Sequence, residues 1–141
     1  MSYAVKQDLI DRFAARELIQ LTDRSAGAST AIDDAVLGRA LADTDAEIDG
    51  YLMGRYTLPL SNVPKMLTSV ACDIARYRLY DDRVTEQVEK RYNDAVKLLR
   101  MIGEGKISIG PNSAEDPTPS TAGAQSHGDE RVFDRSTLSD Y

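Results

Sequence analysis

At 141 residues with 42% hydrophobic content, the chain is long enough for one small domain with a real core, and too apolar for wholesale disorder. A net charge of −6 argues against a basic nucleic-acid-binding surface, although DNA can still pass such a protein without sticking. The lone Cys72 rules out an internal disulfide and fits a reducing compartment, and no run of about eighteen apolar residues marks a membrane span.

The N-terminus, MSYAVKQDLIDRF, is charged by Lys6 and has no apolar h-region, so no signal peptide is expected. Helical periodicity then runs to about residue 105. Lys6 to Phe13 predicts a short helix with Leu9, Ile10 and Phe13 on its apolar side. A second covers Ala15 to Leu21, with Thr22-Asp23 as its end. The stretch 24–30 is a loop from which Ser29 or Thr30 would cap the next helix. That helix is long, from about Ala31 to Arg55, with a stripe of Leu37, Leu41, Ile48 and Leu52 that Thr44 and Asp45 interrupt. Asp33 and Asp34 suit its positive N-terminus. Gly38, Gly50 and Gly54 weaken its intrinsic propensity, so packing must hold it, and in a tight assembly such small residues let a neighbour approach closely.

The block Ile48 to Pro64, IDGYLMGRYTLPLSNVP, reads as the end of that helix, a sharp exit and the start of another. Ile48, Tyr51 and Leu52 share one face. Pro59 biases Leu58 toward extended backbone, Leu60 follows, Ser61-Asn62 supply turn chemistry, and Pro64 suits a first helical turn. The fourth helix, from about Pro64 to Asp81, carries Leu67, Val70, Ala71, Ile74 and Tyr77 on one face. Cys72 lies among them as a buried structural thiol. The fifth runs from about Thr85 to Ile102, with Val88, Tyr92, Ala95, Leu99 and Ile102 at helical spacing and Gly103 as its C-cap. Arg55, beside the proline exit, and Asp73, among apolar neighbours, are expected to pair across the helix junction, because a buried unpaired Asp is costly.

From about 106 onward the periodicity stops. Ile107-Ser108-Ile109 alternates and fits a short strand at 106–109 if a partner pairs it. Pro111, Pro117 and Pro119 fall among Ser, Thr, Gly and Ala, and Arg131, Val132, Phe133, Arg135 and Leu138 form an apolar-basic cluster at the far end. Two readings stand: an unstructured tail, or a docking arm. The expectation is an all-α fold with a helical domain over 1–105 and an extended arm over 106–141.

Catalytic and cofactor chemistry is sought without success. The single His127 sits between Ser126 and Gly128, away from any partner for a triad or a His-ligated metal. Phosphate-binding glycine motifs are missing, and Gly103-Glu104-Gly105-Lys106 is a helix end. The acidic run from Asp43 to Asp49 fails the calcium-loop spacing and reads as a solvated helix face. No cofactor or metal is expected, and the chain is read as non-enzymatic. The arginines and lysines of the last two helices, interspersed with acids, give a mixed solvent face or a contact surface for an acidic partner.

The pattern I-D-x-Y-L-x-x-R-Y-x-L-P-L over Ile48 to Leu60 resembles the head–tail adaptor (neck) proteins of Mu-like phages and prophages. Other matching blocks are an N-terminal Y-A-x-x-x-D-L-I, E-L-I-Q-L-T-D at Glu17 to Asp23, and C-D-I-A-R-Y-R-L-Y at Cys72 to Tyr80. Tyr92-Asn93-Asp94-Ala95, the G-E-G-K turn and R-V-F-D-R-S-T-L near the end complete the set.

The resemblance implies a structural virion protein. It would form a ring, commonly a dodecamer, beneath the portal, extend the DNA channel and offer a surface to the next neck or tail-completion protein. It also implies an arm that grips the portal, with Ile107, Ile109, Arg131, Val132, Phe133, Arg135 and Leu138 as docking residues. Asp43 and Glu47 are candidates for a non-stick channel wall, since each Lys or Arg on a phosphate would add counterion-release affinity. The small apolar patches and acidic charge predict a monomer that assembles only on its target. Without the resemblance, the same residues support a cytosolic helical interaction or regulatory module with a disordered tail.

Overall fold

The longest helix explains how the rest is arranged. Residues Leu37, Ala40, Thr44, Ile48 and Leu52 recur at three- and four-residue steps on α3 (Asp34–Leu52) and are all buried. Thr44 therefore does not break the stripe. Its hydroxyl donates to the Ala40 carbonyl at 2.7 Å, which lets a polar side chain sit in the core satisfied. The computed structural model describes residues 1–25, 27 and 29–110. Besides α3 they form α1 (Lys6–Phe13), α2 (Ala15–Thr22), α4 (Lys65–Leu79) and α5 (Glu86–Gly103), with no strand among the described residues. The fold is the expected small all-α bundle.

Helices α3, α4 and α5 pack on one another, and the α1–α2 pair closes the side formed by α4 and α3. Leu67, Ala71, Cys72, Ile74 and Ala75 of α4 meet Leu99 and Ile102 of α5 and Ile48 and Leu52 of α3 in a single core. Burial pushes the Cys72 thiol up to about 11, so it stays protonated as a packed side chain.

Helix ends follow local chemistry. The cap of α3 is Asp33, not Ser29 or Thr30: its carboxylate accepts the N–H groups of Ala35 and Val36 at the positive helix end. Ser29 is instead drawn to Asp23, which also takes N–H groups from Ser25 and Gly27. Those hydrogen bonds hold the Asp23 carboxyl below its usual range. Pro64 stands at the N-cap of α4, one residue outside the helix, and Thr85 caps α5. The Leu58–Pro59 peptide is cis. Between α1 and α2, Ala14 takes φ 68°, ψ 146°, a conformation that side-chain-bearing residues rarely adopt.

Candidate functional site

Beside single pairs such as Lys6–Asp34, Arg12–Ser69 and Asp73–Arg91, three clusters of polar side chains tie the described segments together. First, the N-terminal segment is clasped to α3. The Tyr3 N–H donates to Asp45 at 2.9 Å and the Tyr3 hydroxyl donates to Asp49. Burial, and then the Asp49 carboxylate, push the phenol well above its usual range. Second, Glu47 of α3 accepts from Arg78 of α4 at 2.6 Å and from the Tyr92 hydroxyl of α5 at 3.1 Å, while Tyr77 stacks on Tyr92 with ring centroids 4.0 Å apart. Third, Glu17 of α2 accepts from Arg76 at 2.7 Å and from Tyr80 at 3.2 Å, and the Arg76 guanidinium lies over the Phe13 ring.

The acidic run of α3 is thus not a plain solvated face. Asp45, Glu47 and Asp49 hold other segments in place, which the sequence pattern did not reveal. The expected channel-wall pair is divided. Glu47 is only 15% exposed and committed to Arg78, whereas Asp43 is exposed beside Arg24, Arg39 and Arg78 in a cleft of about 490 Å³.

The feature that draws most of the singled-out residues together is the exit of the chain from the bundle. Helix α5 ends in a paired turn, with the Gly105 N–H on the Ile102 carbonyl at 3.0 Å and the Lys106 N–H on Met101 at 2.9 Å. Gly105 has φ +79°, and a Cβ there would lie 1.7 Å from Nη1 of Arg55, so the guanidinium occupies the space above the glycine. Arg55 Cζ lies 6.0 Å from the Tyr56 ring centroid. A Cβ on Gly103 would meet the Tyr51 carbonyl at 2.7 Å, so the ends of α3 and α5 touch through backbone. Buried Tyr56 accepts the Ile109 N–H at 3.4 Å, and Ile109 itself is 6% exposed. Ile48 and Leu52 are fully buried beneath, Leu60 is buried and Leu58 half-buried beside them.

Two expectations are corrected here. Arg55 does not pair with Asp73. Asp73 faces α5, where its partner is Arg91 at 3.5 Å, while Arg55 turns toward the Gly105 loop. Burial raises the Asp73 carboxyl above its usual range, with Arg91 pulling the other way. Ile107 and Ile109 are not a strand awaiting a partner. They fold onto the body, Ile109 in the core and Ile107 packed against it, because their apolar side chains gain more by burial there than in solvent. The described chain therefore remains part of the body through Gly110. Arg131, Val132, Phe133, Arg135, Leu138 and His127 lie outside the described residues.

Among the described residues, no group of three His, Cys, Asp or Glu side chains could hold a metal ion, and no helix is long and apolar enough to cross a membrane.

Residues 3–127 match the family described as Bacteriophage Mu, Gp36. The chain belongs to this family. It is 36% identical over 135 residues to the Mu-like prophage FluMu protein gp36 of Haemophilus influenzae, covering 96% of this chain and 94% of that one. It is 40% identical over 119 residues to gene product J of Escherichia phage Mu, covering 84% of each. The match begins at Tyr3, the residue clasped to α3, and takes in every link described above. It also continues past Gly110 into the arm. Membership of a Mu-like phage family, expected from the motif blocks, is therefore established, and those blocks correspond to inter-helix links: Glu17, Arg76 and Tyr80 in one, Tyr51, Arg55, Tyr56 and the G-E-G-K turn in another.

Proposed function

We propose that this protein is a structural component of the virion neck, a head–tail adaptor whose copies form a ring beneath the portal, extend the DNA channel and join capsid to tail. On this reading it is not an enzyme, and DNA passes its lumen without specific binding. Its neighbours are the portal on one side and a further neck or tail-completion protein on the other. The single observation that supports the reading best is the pinned exit. Arg55, Tyr56 and the Gly105 turn fix where residue 110 leaves the bundle, so a further 31 residues are launched from a defined point on a rigid body. An arm that reaches a neighbouring subunit needs such a fixed origin, since a loose one would add ordering cost on docking. Family membership places the chain in a phage context consistent with that job.

The test is deletion of residues 111–141. The truncated protein is expected to keep a folded helical body with an almost unchanged melting curve. Portal-bearing heads supplied with it are expected to remain without tails. Wild-type assembly efficiency from the truncated protein would overturn the docking role.

A further inference from the structure

Between α4 and α5 lies a cleft of about 260 Å³ that none of the three polar links uses. Met66, Ser69, Val70 and Asp73 line it from α4, and Arg91, Asp94, Ala95 and Leu98 from α5. Both sets run i, i+3, i+4, i+7, so each is one continuous helical stripe and the two stripes face each other across the groove. The floor is apolar. The rim carries two carboxylates and one guanidinium. Asp73 is the notable member: its side chain is 22% exposed, and its one ion pair, to Arg91, is long at 3.5 Å. Desolvation outweighs that partner and holds its carboxyl above the usual range, so a second cation at this position would be favourable.

The chain itself contains a segment of matching chemistry. Arg131-Val132-Phe133-Asp134-Arg135 places one aromatic anchor among apolar, cationic and anionic side chains in short order. Phe133 fits the apolar floor, Arg131 and Arg135 complement Asp73 and Asp94, and Asp134 complements Arg91. The linker 111–130 is twenty residues long and reaches at most about 70 Å, against a length of about 27 Å for α5. A segment tethered within that range meets its own groove at an effective concentration on the order of millimolar. A second copy of a protein present at micromolar concentration cannot match that.

We propose that in the unassembled protein the arm segment 131–135 docks in the α4–α5 groove of its own chain, and that the portal takes this segment over on assembly. The proposal rests on the reading of the arm as the portal-docking element. It supplies a reason for the free protein to remain monomeric: the adhesive segment is covered until a better site is present. Docking is modest in strength, as a replaceable contact requires.

The experiment uses the full-length chain without portal. A photo-crosslinking residue is introduced as Phe133→p-benzoylphenylalanine, and equal amounts of 14N- and 15N-labelled protein are mixed before irradiation. Crosslinks are expected to concentrate on 66–73 and 91–98, within copies of one isotope. Arg131→Glu with Arg135→Glu, which alters only the arm, is expected to reduce groove crosslinking about tenfold. Adding Asp94→Lys, at an exposed position, is expected to restore part of it. Crosslinks scattered over the body, groove crosslinks joining differently labelled copies in the statistical share expected of an intermolecular contact, or indifference to the charge changes would each overturn the proposal. The deletion assay on heads reads out the portal role separately, so either idea can fail while the other stands.

Discussion

Replacing Gly105 by alanine tests whether the exit turn is as tightly determined as it looks. Two costs add. At φ +79° an L-residue with a Cβ loses about 1–2 kcal/mol relative to glycine. The new Cβ would also sit 1.7 Å from Arg55 Nη1, so the guanidinium must leave its place beside Tyr56. Loss of that cation–ring contact contributes about 0.5–1 kcal/mol more. The expected total is about 1.5–3 kcal/mol, which for a body of this size lowers Tm by roughly 6–12 °C. Because the chain has no tryptophan, far-UV circular dichroism during urea and thermal unfolding is the suitable readout. Two further substitutions separate the contributions. Gly105→Asn, with its tolerance of left-handed backbone, is expected to cost about 1 kcal/mol, mainly through Arg55. Gly38→Ala, at an exposed position in α3 with nothing within 4 Å, is expected to stabilise by about 0.5–1 kcal/mol. If Gly105→Ala falls within about 0.5 kcal/mol of the wild type, the turn does not depend on glycine and the pinned exit is wrong.

Three further outcomes are expected. Ala14→Gly relieves the strained φ 68°, ψ 146° between α1 and α2 and should raise stability by a net of about 0.5–2 kcal/mol, since Ala14 is exposed and little burial is lost with its methyl; a loss on urea titration would show the conformation is not strained. Glu47→Ala removes the acceptor shared by Arg78 and Tyr92 and should cost about 1.5–3 kcal/mol, with a Glu47→Ala/Tyr92→Phe cycle showing coupling on the order of 1 kcal/mol; strict additivity would show that the two do not interact. Asp23, lowered by hydrogen bonds from Ser25, Ser29 and Gly27, stabilises the fold above its unfolded pKa, and that contribution is lost as pH falls through its folded value. The difference in denaturation midpoint between wild type and Asp23→Asn should therefore be full at neutral pH and shrink as pH falls below the ordinary carboxylate range through the lowered folded value, and a difference independent of pH would refute the assignment.

Much of the body was legible in the sequence because helix periodicity and punctuation agree. All five helices were expected with boundaries within about three residues of those found; at the start of α3 the difference arises because the Asp33 carboxylate outcompetes a hydroxyl, and α5 runs through Gly103, the expected C-cap, to a cap at Glu104. Thr44 was misread because pattern alone cannot see its hydroxyl returning to the Ala40 carbonyl. The pairing of charges was not legible. Asp45, Glu47 and Asp49 look like a solvated run in one dimension, yet the helix turns Asp45 and Asp49 toward Tyr3 of the N-terminal segment and Glu47 toward α4 and α5. Arg55 and Asp73 were matched by charge and apparent burial, but the partner of each was set by helix rotation, which spacing within a single helix does not give.

Within the body, Gly38, Gly50 and Gly54 have nothing within 4 Å, while Gly103 and Gly105, whose sequence reads as a mere helix end, are the ones a side chain would disrupt. The sequence motif Ile48–Leu60 and the G-E-G-K turn are distant in the chain and meet only at the exit. A helix that simply stopped at Gly103 would need neither the Arg55 guanidinium above Gly105 nor the Tyr56 hydroxyl under Ile109. Their presence makes the direction of residue 110 a property of the core itself. Any load carried by the chain beyond residue 110 would pass directly into α3 and α5, the two longest helices among the described residues, as the proposed adaptor role requires.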